Sequence, residues 1–339
     1  VERLGAARDI ELEVMDLHAL TPDEFLQFGD AVVHQLSYQQ ARHLNRAAEG
    51  IYVANPGFTL SAAAIPRGSV IVAMNDRPVS TLDDLEAVLD ELPDGKRAAV
   101  RFFTFDEPSA SKLRLVRMDR RWFPVQRCAR DDASGSWPCR ELAAGPPPVP
   151  PSVGSARFIE HKDPRARAVA PSLVLVNFDM PYTISGVSER HYYGTGVVVD
   201  AENGYVVVDR NTVPEAMGDV FLTFAGELEI PAQVEFVHPT HNLTLLTYDP
   251  ALLGDTPVEA VTFREELPAP GDLLWVVGLR GDNKLVYQAT EVASIEPVMF
   301  PLSRTMRFRD TNLETLSLIN GPNTVDGVIV DKRGRVVSL

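Results

Sequence analysis

Short apolar runs separated by turn residues dominate the chain. Residues 1–15 (VERLGAARDIELEVM) contain IELEV, whose two-residue alternation predicts a strand. Nothing nearby completes a fold around it, so it fits the last strand of a preceding domain. Thr21, Pro22 and Glu24 give a helix-start signature within DLHALTPDEF. GDAVVHQL (29–36) and GIYVA (50–54) predict strands, and between them Ser37 and Gln40 form a capping box that opens a short helix. IPRGSVIVAMNDRPV predicts a turn, a strand and a second turn at Asn75–Asp76. Leu82, Leu85, Val88, Leu89 and Leu92 then share one face of a helix capped by Ser80 or Thr81. RAAVRFFTF and SKLRLVRMD close this part as strands.

A boundary follows. AAGPPPVPPS (143–152) lacks too many N–H groups for helix or sheet and favours an extended polyproline conformation. Beyond it strand-like runs recur: PSLVLVNFDM, YYGTGVVVDAENGYVVVD, DVFLTFA, LEIPAQVEFVHP, LTLLTYD, DLLWVVGL, KLVYQATEVASIEP, TNLETLSLI and GVIVDKRGRVVSL. No strong helix interrupts them. Short strands at this spacing indicate antiparallel sandwiches or barrels, not alternating β-α-β units.

Composition narrows the function. The 339 residues suggest two or three domains. With 32 basic and 47 acidic residues the formal net charge is −15, a field that repels phosphate backbones and anionic lipid, against nucleic-acid or peripheral membrane roles. No apolar run approaches the ~20 residues of a membrane span. The chain begins at Val1 with no basic-then-apolar leader, which predicts an excised piece or a processed product. Cys128 and Cys139 flank ARDDASGSWP. They are either two thiols of a surface loop or a disulfide adding up to roughly 3 kcal/mol. No histidine lies between 44 and 160 to join them in a zinc site, and His238 and His241 lack convincing partners, so no metal or other cofactor is expected. Ser188, Glu189 and His191 carry triad-type side chains, but adjacency in sequence is not triad geometry, and they read as a surface hairpin.

In strand order the second half resembles the Deg/HtrA branch of the trypsin-like serine proteases. TGVVVDAENGYVVVDRNTV, AQVEFVHPTHNLTLLTYD, PGDLLWVVGL, YQATEVASIEP and VDGVIVDKRGRVVSL match five family segments in order over roughly 145 residues. GYVVVDRNTVP, VHPTHNLTLLTYDPALLGDTPV and LSYQQARHLN…GIYV are similar to the large, internally duplicated members, whose active protease half is followed by PDZ-like domains and a degenerate second protease domain. The implied fold is mainly β, a PDZ-like α+β domain followed by a trypsin-like double β-barrel. The implied domains are a terminal strand at 1–15, a PDZ-like domain at 25–122, a Pro-rich connector at 123–154 and a degenerate protease domain at 155–339, stopping one strand short of its end.

Carried over position by position, the resemblance places the catalytic histidine at Asn211, the aspartate at Asn242 and the nucleophile at Val325, with Asp326 where a glycine borders the oxyanion site. These substitutions predict a chain that is not itself an enzyme, within a parent whose active domain lies elsewhere. Its implied role is oligomer assembly with substrate positioning or regulation. The implied partners are further copies of itself, as trimers, and unfolded polypeptide or peptide C-termini held at Gly50, Ile51, Tyr52 and Val53, where Glu49 departs from the family pattern. A free-standing peptide-binding adaptor and a hydrolase with an unrecognised site are the rivals. The lineage leans towards a bacterial periplasm and also admits nuclear or plastid locations.

Overall fold

The computed structural model describes residues 2–339 except 4, 8, 10, 12, 13, 15, 19, 185, 186, 188, 240, 298–314 and 322–324. Most of IELEV and Ser188 therefore lie outside the described residues. The chain divides into two compact units, Val1–Pro150 and Pro151–Leu339, and the division falls inside the proline-rich run.

The first unit opens with a two-stranded ribbon, β1 (Glu2–Arg3) and β2 (Ala6–Ala7). There follow β3 (Glu24–Phe28), β4 (Ala31–Gln35), α1 (Tyr38–His43), β5 (Ile51–Asn55), α2 (Thr59–Ala62), β6 (Ser69–Met74), β7 (Arg77–Pro78), α3 (Leu82–Glu91), β8 (Arg97–Thr104), β9 (Glu107–Arg117), β10 (Gln126–Ala129) and β11 (Cys139–Glu141). Apart from β7, which pairs with β6, the main strands run in the order β11-β10-β3-β4-β5-β6-β8-β9, each antiparallel to its neighbours. The buried leucines of α3 pack with Leu26, Phe28, Ile51, Val53, Ile71 and Val100 in one core.

Both caps form. The Ser37 hydroxyl accepts from the Gln40 N–H at 3.2 Å while Gln40 Oε1 accepts from the Ser37 N–H. At α3, Thr81 Oγ1 accepts from the Asp84 N–H and Asp84 accepts from the N–H groups of Ser80 and Thr81, bonds that hold its carboxyl below the usual range. The helix-start signature at Thr21–Glu24 leads instead into β3. Leu26 and Phe28 alternate into the core, and Gly29 and Asp30, both with positive φ, return the chain directly into β4. Residues expected as part of a connector also form β10 and β11, joined by a Cys128–Cys139 disulfide.

The second unit begins with α4 (Pro164–Val169), whose N-cap Asp163 accepts from the N–H groups of Arg165 and Ala166. β12 (Leu173–Asp179), β13 (His191–Asp200), β14 (Tyr205–Val208), β15 (Asp219–Phe224), β16 (Leu228–Val237) and β17 (Thr244–Tyr248) form a closed barrel in the order β12-β13-β14-β17-β16-β15. β18 (Leu273–Leu279), β19 (Leu285–Glu296), β20 (Thr315–Ile319), β21 (Val325–Val330) and β22 (Val336–Ser338) form a sheet in the order β20-β19-β18-β21-β22. Where a second barrel is expected, its described part is this five-stranded sheet.

Consecutive burial along LVLV of β12 has a simple cause. Val174 and Val176 face the barrel interior, while Leu173 and Leu175 pack with Val197, Val277, Val328 and Val330 against the second sheet. A strand buried on both faces reads as an unbroken apolar run. The fold is mainly β, an α+β unit followed by a barrel-containing one.

Candidate functional site

The second unit holds a cleft of about 790 Å³ where the barrel meets the five-stranded sheet, lined among others by Thr195, Val208, Asp209, His241, Asn242 and Asp326. At the end of β14 the chain turns about Asp209, whose Oδ1 accepts from the N–H groups of Asn211 (2.7 Å) and Thr212 (3.1 Å). Such local carboxylate-to-backbone bonds are what Asp supplies in turns. They leave Asn211 exposed. Asn242 Oδ1 accepts from the Arg210 N–H at 3.0 Å and Thr244 Oγ1 donates to the Val213 carbonyl, so the turn is fastened to the start of β17.

β21 approaches from the other sheet. Its first residue, Val325, lies opposite Leu279 of β18, and Asp326 follows with φ of 55°. Thr212 Oγ1 stands 2.7 Å from Asp209 Oδ2 and 3.3 Å from Asp326 Oδ2. One hydroxyl hydrogen serves two carboxylates. Asp326 as a residue is exposed and lines the cleft, while its Oδ2 lies against the Thr212 hydroxyl. Burial of the Asp326 carboxyl and the charge of Asp209 push it up to about 6, against the weaker pull of the Thr212 hydroxyl. Gly194 admits this approach, since a Cβ there would sit 2.1 Å from Thr212 Oγ1 and 2.7 Å from Asp326 Oδ2. Of the three expected triad positions, Asn242 lines the cleft, while Asn211 is exposed on the adjoining turn and Val325 is the residue before the lining Asp326. The Asp209–Thr212–Asp326 bridge was not foreseen; the only sequence signal for it is the turn-forming D-R-N-T.

The four residues of the expected peptide loop fare differently. β5 is an internal strand, with Ile51 opposite Gln35 on one side and Ile71 on the other. The Gly50 N–H donates to the Ser80 carbonyl and its own carbonyl accepts from Leu36. Ile51 and Val53 are fully buried. Strand addition needs an open edge and a terminal carboxylate needs unused N–H groups, and Gly50–Val53 offers neither. Gly50–Val53, where the resemblance places a bound peptide, is thus already paired on both sides.

The remaining polar clusters are local. His191 Nδ1 lies 2.8 Å from Asp179 Oδ1 across the β12–β13 pair, and His238 Nδ1 accepts from the His241 N–H. Among the described residues no three His, Cys, Asp or Glu side chains gather as a metal site. In the first unit Arg127 on β10 reaches Glu24 on β3 and Asp83 and Glu86 on α3. Burial opposes its charge, but the bonds it donates to Asp83, Glu24 and Glu86 outweigh that and raise its pKa.

Residues 19–95 match the model of the PDZ-like domain. Along its whole length the chain is 32% identical to the pro-apoptotic serine protease nma111 of Aspergillus terreus, of which it covers 33%. It is 30% identical, again over its whole length, to a PDZ domain-containing protein of Schizosaccharomyces pombe, of which it covers 35%. The chain thus spans about a third of the length of the curated relatives it matches. Among solved structures, the HtrA-type protease AlgW with tripeptide is 17% identical, with 51% of each chain covered and a TM-score of 0.38. These relatives overturn the expectation that this chain is no enzyme: proteins matching it from end to end are named serine proteases.

Proposed function

We propose, from the premise that this chain belongs to the Deg/HtrA family of serine proteases, that it engages peptide and assembles subunits within such an enzyme. The observation that carries the reading is a PDZ-like domain at 19–95 inside a chain similar along its whole length to a third of a serine protease. PDZ-like sheets take extended polypeptide, so unfolded segments and peptide C-termini are the partners. The serine-protease activity for which the relatives are named is proposed for the whole protein, with this part positioning substrate or regulating its cleavage. Self-association, as trimers, is the assembly proposed. No described helix is long and apolar enough to cross a membrane.

Two measurements on the 339-residue chain test this. Light scattering behind size exclusion gives the mass of the assembly. Titration with fluorescent peptides ending in a free carboxylate or an amide gives the partner. Self-association with peptide binding is expected. A monomer at every concentration that binds neither peptide overturns the reading.

A further inference from the structure

The outermost strand of the α+β sheet is a short piece of chain held on by a covalent bond. β11 is three residues long, exposed throughout, and pairs only with β10. Beyond the ladder, Ala129 N–H donates to the Pro138 carbonyl and Leu142 N–H to the Val125 carbonyl. Cys128 and Cys139 lie directly opposite each other in this pair and are bonded. Two side chains complete the attachment. Arg140 Nη2 donates to both carboxylate oxygens of Glu86 on α3, at 2.8 and 2.7 Å, and the Trp137 ring lies 5.4 Å from that of Phe25 on β3.

β10 needs no such help. It pairs with β3 over four residues, and Arg127 ties it to Glu24, Asp83 and Glu86. Removing β11 leaves β10 in place with a bare outer edge. Such an edge accepts any extended backbone, and pockets beside it choose the side chains. Here two side chains do the choosing. Phe25 takes an aromatic ring and Glu86 takes a guanidinium three residues later. The present occupant, Trp137-Pro138-Cys139-Arg140, displays the pattern.

We propose that residues 137–142 are a built-in occupant of a strand-addition site on β10, released by reduction of Cys128–Cys139. The partner is an extended peptide with an aromatic residue followed three positions later by arginine or lysine. This goes beyond capture of free C-termini, because pairing along β10 requires no terminus. The reductant is a dithiol. Its thiolate attacks Sγ of Cys139, since Cys139 is exposed whereas Cys128 is fully buried. The S–S bond breaks, the Cys128 thiolate leaves and takes a proton, and a mixed disulfide forms on Cys139. The second thiol of the reductant then displaces Cys139, closing the reductant's own disulfide. Two electrons and two protons have passed to the protein. Without the crosslink β11 keeps only its short ladder and two side-chain contacts. Loss of loop closure loosens it by about a hundredfold, the factor equivalent to roughly 3 kcal/mol.

The test uses the 339-residue chain and a probe peptide of residues 136–142 carrying Cys139→Ser, acetylated and amidated so that it has no terminal charge. Fluorescence anisotropy should show binding to the dithiol-reduced protein and to its Cys139→Ser variant, and none to the oxidised protein. Arg140→Glu in the probe should weaken binding by about tenfold or more. Hydrogen exchange at the Ala129 amide should accelerate by about a hundredfold on reduction. The Gly68 amide, which donates to Val53 inside the same sheet, should stay protected and show the fold intact. Equal binding in both redox states, no binding to the reduced protein while Gly68 stays protected, or indifference to Arg140→Glu would each overturn the proposal. Binding of free C-termini with failure of this capped probe would overturn it while leaving the peptide-binding function standing.

Discussion

At the scale of single residues the bridge between Asp209 and Asp326 is the most sensitive feature of the second unit. Asp326 sits near 6 in the folded chain and near 3.8 when unfolded, so between those values the folded state binds the extra proton. Its contribution favours folding most below pH 4 and is lost as pH rises through about 6. Asp163 and Asp331 act in the opposite sense, because their pKa values are lowered, by hydrogen bonding with Arg165 at Asp163 and, against burial, by bonds from Arg335 and Arg333 at Asp331. The difference between wild type and Asp326→Asn isolates the one group. In thermal melts that difference should favour the variant increasingly from pH 4 to pH 7, and a difference independent of pH would contradict the assignment. The caps give a second test. Ser37→Ala and Thr81→Ala should each lower stability by about 1 kcal/mol in urea titrations, since each hydroxyl satisfies a first-turn N–H. Both caps were legible in the sequence because they depend on neighbours three residues away. The bond that closes the bridge, from Thr212 to Asp326, joins residues 114 positions apart, and no local pattern encodes it.

At the scale of elements, α3 illustrates what periodicity can and cannot tell. Its leucines announce a buried face, and Leu85 is fully buried among the strands of the first core. Leu85→Ala should cost roughly 2–5 kcal/mol, read as a lower denaturation midpoint at unchanged slope. The same reading mistakes the start of β3 for a helix, because Thr-Pro-x-Glu is a sound first turn until Leu26 and Phe28 alternate after it. The family resemblance, not periodicity, places the peptide loop on GIYV. A strand's sequence reveals that it is apolar but not whether it is central or at an edge; β5 is central because β4 and β6 claim both its sides. β10 and β11 were illegible for a further reason. They are short and polar, and a distant partner strand and a covalent bond hold them in the sheet.

At the scale of the whole molecule, the net charge of −15 sets the terms on which partners arrive. A cationic peptide should associate faster than a neutral one of the same length, and the advantage should shrink as salt is added. Stopped-flow rates at low and high ionic strength check this, and equal rates would remove charge steering from the account. The mainly β fold was readable from strand spacing.

The sheet order of the first unit also has a consequence in time. β3 is made about 100 residues before its outer partner β10, which at ~5–20 residues per second leaves that flank unpaired for roughly 5–20 s. Throughout that interval the nascent chain presents an open β flank that any neighbouring nascent chain could pair with. Synthesis rate and chaperone supply, more than final stability, then set the yield of correctly assembled protein. The disulfide can seal the flank only after translation has passed Cys139.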